Sequence, residues 1–300
     1  MKTHITVLEK EAVDALALSP DSIVVDATLG AGGHSRRIAK ALGTKGSLIS
    51  IDADKTAIEA AGSFFKDVQC TVHLVEGNFR TLREQLVLLH IERVDAILAD
   101  LGWRMEQFSG NGKGFSFLVD EPLHMTYGDA SQYPFTARDI INEWNEEQIT
   151  NVLKGYGEER YARKIAHAIV ESRESAPIET TTQLVEVIER SVPGVYRRGR
   201  IHPATKTFQA LRIAVNDELE ALEHFIAQSI ESLTEGGRLA IITFHSIEDR
   251  IVKHLFRTYA RDQKGVVVTK RPITPTEEEI HENKRARSAK LRIFEKHENV

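Results

Sequence analysis

A glycine-rich run, Gly30-Ala31-Gly32-Gly33-His34-Ser35, follows Asp26 closely, and a second acid, Asp52, stands about 20 residues beyond Gly30. Glycines at a strand-to-helix turn let the backbone approach a ligand with no Cβ in the way. A carboxylate at the end of the next strand can accept hydrogen bonds from both ribose hydroxyls of an adenosine. Two cofactor chemistries suit such a turn. A dinucleotide site favours G-x-G-x-x-G/A, with the pyrophosphate on the helix N-terminus. Here the glycines run G-x-G-G, and Ser35 occupies the third position of that pattern. S-adenosylmethionine carries no phosphate and has a cationic sulfonium, which the acid Asp26 suits better than it suits a diphosphate. The methyl donor is therefore favoured over NAD, with a merely structural strand–helix turn as the plain alternative.

Two further residues point toward the same cleft. Phe79, in Gly77-Asn78-Phe79, has the ring to flank an adenine, although the hydrophobic core has an equal use for it. Asp100 closes the apolar run Val94–Asp100, a place where Asp also forms turns and caps. Methyl transfer from a sulfonium is an in-line displacement, so the protein must align the reactants and place an acceptor near the nucleophile's N–H. The amino nitrogen of cytosine or adenine is a poor nucleophile because its lone pair is delocalised into the ring. A carboxylate or carbonyl acceptor favours a more pyramidal, reactive nitrogen. Asp100 is the candidate, assisted by Gln107, and holding the cofactor is the alternative role of both. Methylation at C5 of a pyrimidine calls for a cysteine thiolate. The sequence has one cysteine, Cys70, and none near Asp100. C5 chemistry is thus disfavoured, while N- and O-methylation stay open. No Cys/His cluster has zinc spacing, so no metal is expected.

These residues need a frame to hold them. Ser22–Thr28, Ser47–Asp52, Thr71–Glu76 and Val94–Asp100 read as strands, with helices over His34–Leu42 and Lys55–Phe65. Repeated β–α–β units predict a parallel sheet with helices on both faces. From Trp103 to Val195 the strand signal lapses, and Glu146–Gly155, Glu158–Arg173 and Thr181–Ser191 read as helices, the last capped within Thr180–Thr182. Apolar residues then recur at helical spacing from Phe208 to Leu233, a helix that Gly236–Gly237 would end. Arg238–Phe244 reads as a buried strand and Ile247–Tyr259 as a helix, while Val266–Thr269 and Leu291–Phe294 suit a terminal antiparallel pair. The expected class is α/β, with residues 1–103 and 208–300 forming the sheet domain and residues 104–207 an inserted helical domain.

Composition is that of an ordinary globular chain: 300 residues, 41% hydrophobic and 28% charged. No apolar run approaches the roughly 20 residues of a membrane span. The first residues lack the apolar core of a signal peptide, and with a single cysteine the chain reads as cytoplasmic. The net charge of −5 is no mark of a nucleic-acid partner, but binding depends on local patches. Two exist: Arg197, Arg198, Arg200 and Lys206, and Lys284, Arg285, Arg287, Lys290 and Arg292. Solvated faces are the plain reading of both. The sequence leaves the oligomeric state open, a homodimer included.

The chain resembles the bacterial 16S ribosomal RNA cytosine-N4 methyltransferases, the RsmH or MraW family. The likeness begins at His4-Ile5-Thr6-Val7-Leu8 and runs through Asp26–Ser35, Gly114-Phe115-Ser116-Phe117 and Tyr156-Gly157-Glu158-Glu159-Arg160. Its most specific blocks are His202–Arg212, Phe244–Lys253, Arg271–Pro275 and Arg287–Arg292. The resemblance implies a Rossmann-like class I methyltransferase sheet with an inserted helical domain for substrate recognition. It implies S-adenosylmethionine as donor and a cytidine of the decoding centre in 16S rRNA, within the small ribosomal subunit, as acceptor. It places cofactor contacts at Gly32, Gly33, His34, Asp52, Phe79, Asp100 and Gln107. The blocks around His202 and His245 fall on the active-site and RNA surface, with His245 beside Asp100 and Gln107 as a catalytic candidate. Capping and turn formation are the structural uses of both histidines.

Two segments depart from the family pattern. After Asp100-Leu101-Gly102 the family usually continues with a Val-Ser-Ser type segment, whereas this chain reads Trp103-Arg104-Met105-Glu106-Gln107. Where the family carries an acidic and basic run after Pro-Leu, this chain reads Pro122-Leu123-His124-Met125-Thr126-Tyr127-Gly128. Both changes fall where the target base is expected. Trp103 is a candidate to stack on an extruded base, or else a buried aromatic. Arg197, Arg198, Arg200, His202 and Lys206 complete the expected RNA contacts. The alternatives are an RNA- and S-adenosylmethionine-binding assembly factor of low activity, a methyltransferase for another RNA or a protein, and, distantly, an NAD-dependent dehydrogenase.

Overall fold

The computed structural model of the chain describes residues 5–102 and 112–297. Trp103 and Gln107 lie outside the described residues, as does His4. Two compact units emerge: Met1–Gly102 with Leu219–Val300, and Trp103–Glu218.

The first unit is built on a seven-stranded sheet in the order β3-β2-β1-β4-β5-β7-β6. Its strands are β1 (Ile23–Asp26), β2 (Ser47–Asp52), β3 (Thr71–Glu76), β4 (Val94–Asp100), β5 (Leu233–Thr243), β6 (Gly265–Val267) and β7 (Lys290–Lys296). The first five run parallel, and β7 pairs antiparallel with both β5 and β6. Because side chains alternate across a strand, each central strand feeds two cores. Val24, Leu48, Leu98, Ile242, Leu291 and Ile293 enter one, with Ile38 and Leu42 from the Gly33–Ala41 helix end. Val25, Ile49, Ile97, Ile241 and Phe294 enter the other, with Leu82, Phe225, Ile226 and Phe256. Covered on both faces, these strands show continuous apolar runs, as parallel sheets do. The α/β Rossmann-like class expected from the sequence is thus the one observed.

The expected single helix over Phe208–Leu233 is two helices, Thr205–Asn216 and Glu218–Ser232, broken at Asp217, whose φ is 49°. The apolar spacing runs through the break because both helices bury a stripe, but in different cores. Phe208, Leu211 and Val215 belong to the helical unit, whereas Leu222, Phe225, Ile226 and Ile230 pack on the sheet. The helical unit accordingly extends to Glu218, beyond the boundary at 207 read from the sequence. Gly236–Gly237 does not end a helix either. The helix stops at Ser232, and β5 passes through Gly236 at φ 73°, where the pairing with β4 shifts register.

The helical unit has its own core, formed by helices Ala137–Glu143, Glu146–Gly157, Ala162–Arg173, Thr181–Ser191 and Thr205–Asn216. Thr180 caps its helix as expected, in a reciprocal box with Gln183. Glu158, at φ 48°, ends the Glu146–Gly157 helix, so the next helix begins at Ala162 rather than at Glu158. Leu123, Met125 and Thr126 are buried, and Tyr127 stacks on Phe115 at 5.6 Å. The departing segment Pro122–Gly128 therefore sends Leu123, Met125 and Thr126 into the core, while Pro122 and Gly128 are exposed.

Candidate active site

Strand order reverses between β1 and β4, and an open α/β sheet takes ligands beyond its strands' carboxyl ends at such a point. Asp26, Asp52 and Asp100 end β1, β2 and β4, so one edge gathers all three acids. The chain leaves β1 without leaving the ladder. Ala27 N–H donates to the Leu98 carbonyl at 2.8 Å. One step on, the side chain takes over, as Thr28 Oγ1 accepts from Asp100 N–H at 2.6 Å. On the β2 side, Leu29 N–H donates to the Ile51 carbonyl and Gly30 N–H to Asp52 Oδ2, both at 2.8 Å. Asp52 Oδ1 accepts from Asp54 N–H at 2.9 Å. The glycine turn is thus laced to both neighbouring strands, and Thr28 is a tie that nothing in the sequence signals.

Gly32 has φ 74°, and a Cβ there would stand 2.6 Å from the Phe64 ring. A Cβ on Gly33 would fall 1.7 Å from Thr6 Oγ1. Conformation and close packing therefore demand both glycines. Gly32→Ala should lose about 1–2 kcal/mol from the left-handed backbone alone and weaken S-adenosylmethionine binding. Denaturant unfolding and calorimetry check this; unchanged stability would refute the backbone argument.

Asp26 corrects an expectation. It is wholly buried, accepting Ser35 Oγ–H at 2.6 Å and Thr28 N–H at 3.1 Å, while Ser35 Oγ also meets Ser50 Oγ at 2.8 Å. Burial pushes its carboxyl upward in pKa. It braces the turn from beneath instead of facing a cationic ligand. His34 is buried as well, and Nε2 lies 3.1 Å from the Val7 carbonyl. Since a carbonyl only accepts, Nε2 carries the proton. Burial lowers the imidazole's pKa, which favours the neutral ring, and its Nδ1 lies 3.7 Å from Asp100 Oδ2, beyond hydrogen-bond distance.

Asp100 itself is partly exposed. Thr28 holds its N–H, and its Oδ1 accepts from Gly102 N–H at 2.9 Å. Phe79 opens the turn after β3, half-buried, with its ring edge-on to Phe225 at 5.2 Å. His245 follows β5 on the same edge and caps the Ser246–Arg261 helix in a reciprocal box with Glu248. Its Nε2 lies 2.9 Å from Glu248 Oε1 but makes no hydrogen bond there. The H-x-x-E spacing was the available signal for this capping role. Carboxylates at Asp52 and Asp100, flanking bare glycine backbone, offer acceptors suited to ribose hydroxyls and an ammonium group. The donor set fits S-adenosylmethionine.

The expected RNA residues lie in the helical unit. Arg197, Arg198 and Arg200 are exposed. His202 stacks on Phe117 at 4.6 Å, and its Nδ1 accepts from Ala204 N–H at 3.2 Å. Lys206 donates to the Glu158 carbonyl at 2.8 Å, closing a helix C-terminus. The second basic block does not form one free face. Arg292 is buried, with Nε 2.6 Å from Asp249 Oδ1, and Lys290 Nζ lies 3.0 Å from Asp249 Oδ2. Only Lys284, Arg285 and Arg287 of that block are exposed.

Residues 1–297 match the model of a family described as the MraW methylase family. The chain is 44% identical over 308 residues to a ribosomal RNA small subunit methyltransferase H of Brevibacillus brevis, covering 98% of each chain. It is 44% identical to the protein so named in a Paenibacillus species, covering 99% of this chain and 100% of that one. In Clostridioides difficile the figures are 41% identity and 98% of each chain.

Proposed function

The chain belongs to the MraW methylase family, and from this premise we propose that it transfers a methyl group from S-adenosylmethionine to the exocyclic N4 of a cytidine in the decoding centre of 16S rRNA. The observation that carries the proposal is its identity of 41–44% with ribosomal RNA small subunit methyltransferases over nearly their whole length.

Bound S-adenosylmethionine would supply an electrophilic methyl group on its sulfonium. Asp52 would accept from the ribose, the Gly30–Gly33 backbone would lie along the donor, and Phe79 would flank its adenine. Asp100 would accept a hydrogen bond from the target amino group, drawing the nitrogen lone pair out of conjugation. With its backbone tied by Thr28, that carboxylate is pre-placed, so little reorganisation remains for the reaction. His34, buried, would hold the wall behind Asp100, and His245 would act chiefly by fixing the end of β5. From the sequence, Gln107 would assist Asp100, and Trp103 is a candidate to stack on an extruded base. Arg197, Arg198 and Arg200 would meet RNA phosphates, with His202 nearby. The helical unit would thus serve substrate recognition, in a cytoplasmic protein, whether monomer or homodimer.

Small ribosomal subunits isolated without native base methylation, incubated with the chain and labelled S-adenosylmethionine, should acquire label in their RNA. Absence of label while S-adenosylmethionine still binds would favour the assembly-factor alternative.

A further inference from the structure

The turn that carries the three arginines also carries apolar side chains that phosphate contacts leave unexplained. Val195 is 81% exposed and Ile201 60%. Such exposure in a floppy loop would mean little, but this turn is anchored. Tyr196 reaches inward between them, donating its hydroxyl to Glu159 Oε2 at 2.7 Å and meeting the Tyr161 ring edge-on at 4.8 Å. Glu159 is buried, and its other oxygen accepts from Tyr161 N–H at 2.7 Å. Burial and the Glu159 carboxylate push the Tyr196 phenol far upward in pKa, so it stays a donor. The backbone closes on itself as well: Arg197 N–H and Arg198 N–H donate to the Pro193 and Gly194 carbonyls at 3.2 Å, and Gly199 N–H to the Tyr196 carbonyl at 3.1 Å.

One partly buried tyrosine, bonded to the buried Glu159, therefore fixes a turn whose arginine and aliphatic side chains face water. Beside it, Phe117 stacks on His202, and the next residue, Leu118, is 75% exposed. The result is a fixed surface of aliphatic side chains interleaved with guanidinium groups that have no ion-pair partner among the described residues.

We propose that this turn grips an unpaired stretch of RNA, with Arg197, Arg198 and Arg200 on the phosphates and Val195, Ile201 and Leu118 against base faces. The inference rests on RNA as the substrate class. Charge complementarity selects a polyanion. The aliphatic side chains select an unpaired strand, because a duplex stacks its base faces away from solvent whereas a single strand can splay them onto a protein. An arginine-only surface would bind either form through its backbone.

Salt dependence separates the two kinds of contact, since each phosphate contact to a single strand contributes about 0.7 to the slope of log affinity against log salt. The probe is a fluorescein-labelled mixed-sequence oligoribonucleotide, single-stranded or annealed to its complement, titrated with the full chain. Val195→Ser with Ile201→Ser should weaken single-strand binding about tenfold at every salt concentration, leaving the slope unchanged. Duplex binding should hardly move. Arg197→Gln, Arg198→Gln and Arg200→Gln together should lower the slope by about 2. Leu88→Ser, equally exposed but in the sheet unit, controls for surface change, and thermal unfolding confirms that each variant is folded.

Unchanged single-strand affinity in the aliphatic variant would overturn the proposal, as would equal losses for single strand and duplex. Unchanged RNA affinity with weakened binding to whole small subunits would assign the aliphatic residues to a protein contact, which also overturns it. Failure of the RNA reading itself looks different: the parent chain would then transfer no methyl group to small-subunit RNA.

Discussion

Asp100→Ala is expected to lower methyl transfer at least ~100-fold while the chain stays folded. Removing one pre-placed hydrogen-bonding group from a site that stabilises developing charge costs about 100- to 1,000-fold in turnover. Asp100 meets the structural condition for such a role. Its backbone is held by Thr28 and one oxygen by Gly102 N–H, so the carboxylate is fixed before any ligand arrives. Its partial exposure keeps the folding cost of truncation low. Single-turnover transfer measured beside S-adenosylmethionine affinity divides the effect between its two possible roles. A fall in rate with affinity kept assigns Asp100 to the target amino group, and a fall in affinity assigns it to the cofactor. Near-parental rate and affinity together would remove Asp100 from the site.

Arg292→Met is expected to cost stability on the order of 3 kcal/mol, because removing the buried partner of an ion pair leaves the other under-compensated, with only the part-exposed Lys290 still paired to Asp249. Asp249 lies in the first turn of the Ser246–Arg261 helix and accepts from both Arg292 and Lys290 of β7. Burial alone would push its carboxyl upward in pKa, yet Arg292 and Lys290 outweigh burial and hold it below the usual value. A carboxyl depressed in the folded state binds its proton more readily when unfolded. Its stabilisation is therefore full above the unfolded pKa of about 3.9 and is lost as pH falls through the folded value. Urea unfolding from neutral to acid pH should show this loss in the parent chain and a flatter profile in Asp249→Asn. A change below about 1 kcal/mol in Arg292→Met would mean that the pair contributes little.

The same clamp shows where sequence reading stops. A string of basic residues says nothing about which face each takes, and β7 is covered on both faces. Leu291 and Ile293 enter one core, while Arg292 turns to Asp249 on the side where Phe294 packs. Arg292 is therefore buried in a block that reads as solvent-facing. Strands β2, β3 and β4 were legible to the residue, because apolar runs bounded by Asp, Gly and Glu have one reading in a parallel sheet. The helix break at Asp217 was not, since a helical period carries through a single left-handed residue without a visible phase change. The strand-end positions of Asp52 and Asp100 were legible in the sequence. Asp26 has the same position signal, but Ser35 and Ser50 draw it beneath the turn, and only packing reveals that. Thr28 was illegible for a related reason: a hydroxyl completing a β-ladder has no pattern in the sequence.

The central claim is the chemistry of the product, and nucleoside mass spectrometry of 16S RNA tests it most directly. Small subunits lacking native base methylation would be treated with the chain and S-adenosylmethionine, and their RNA digested to nucleosides. N4-methylcytidine, absent from the untreated control, is the expected product. A C5-methylated pyrimidine, a methylated adenosine or a ribose-methylated nucleoside in its place would contradict the account.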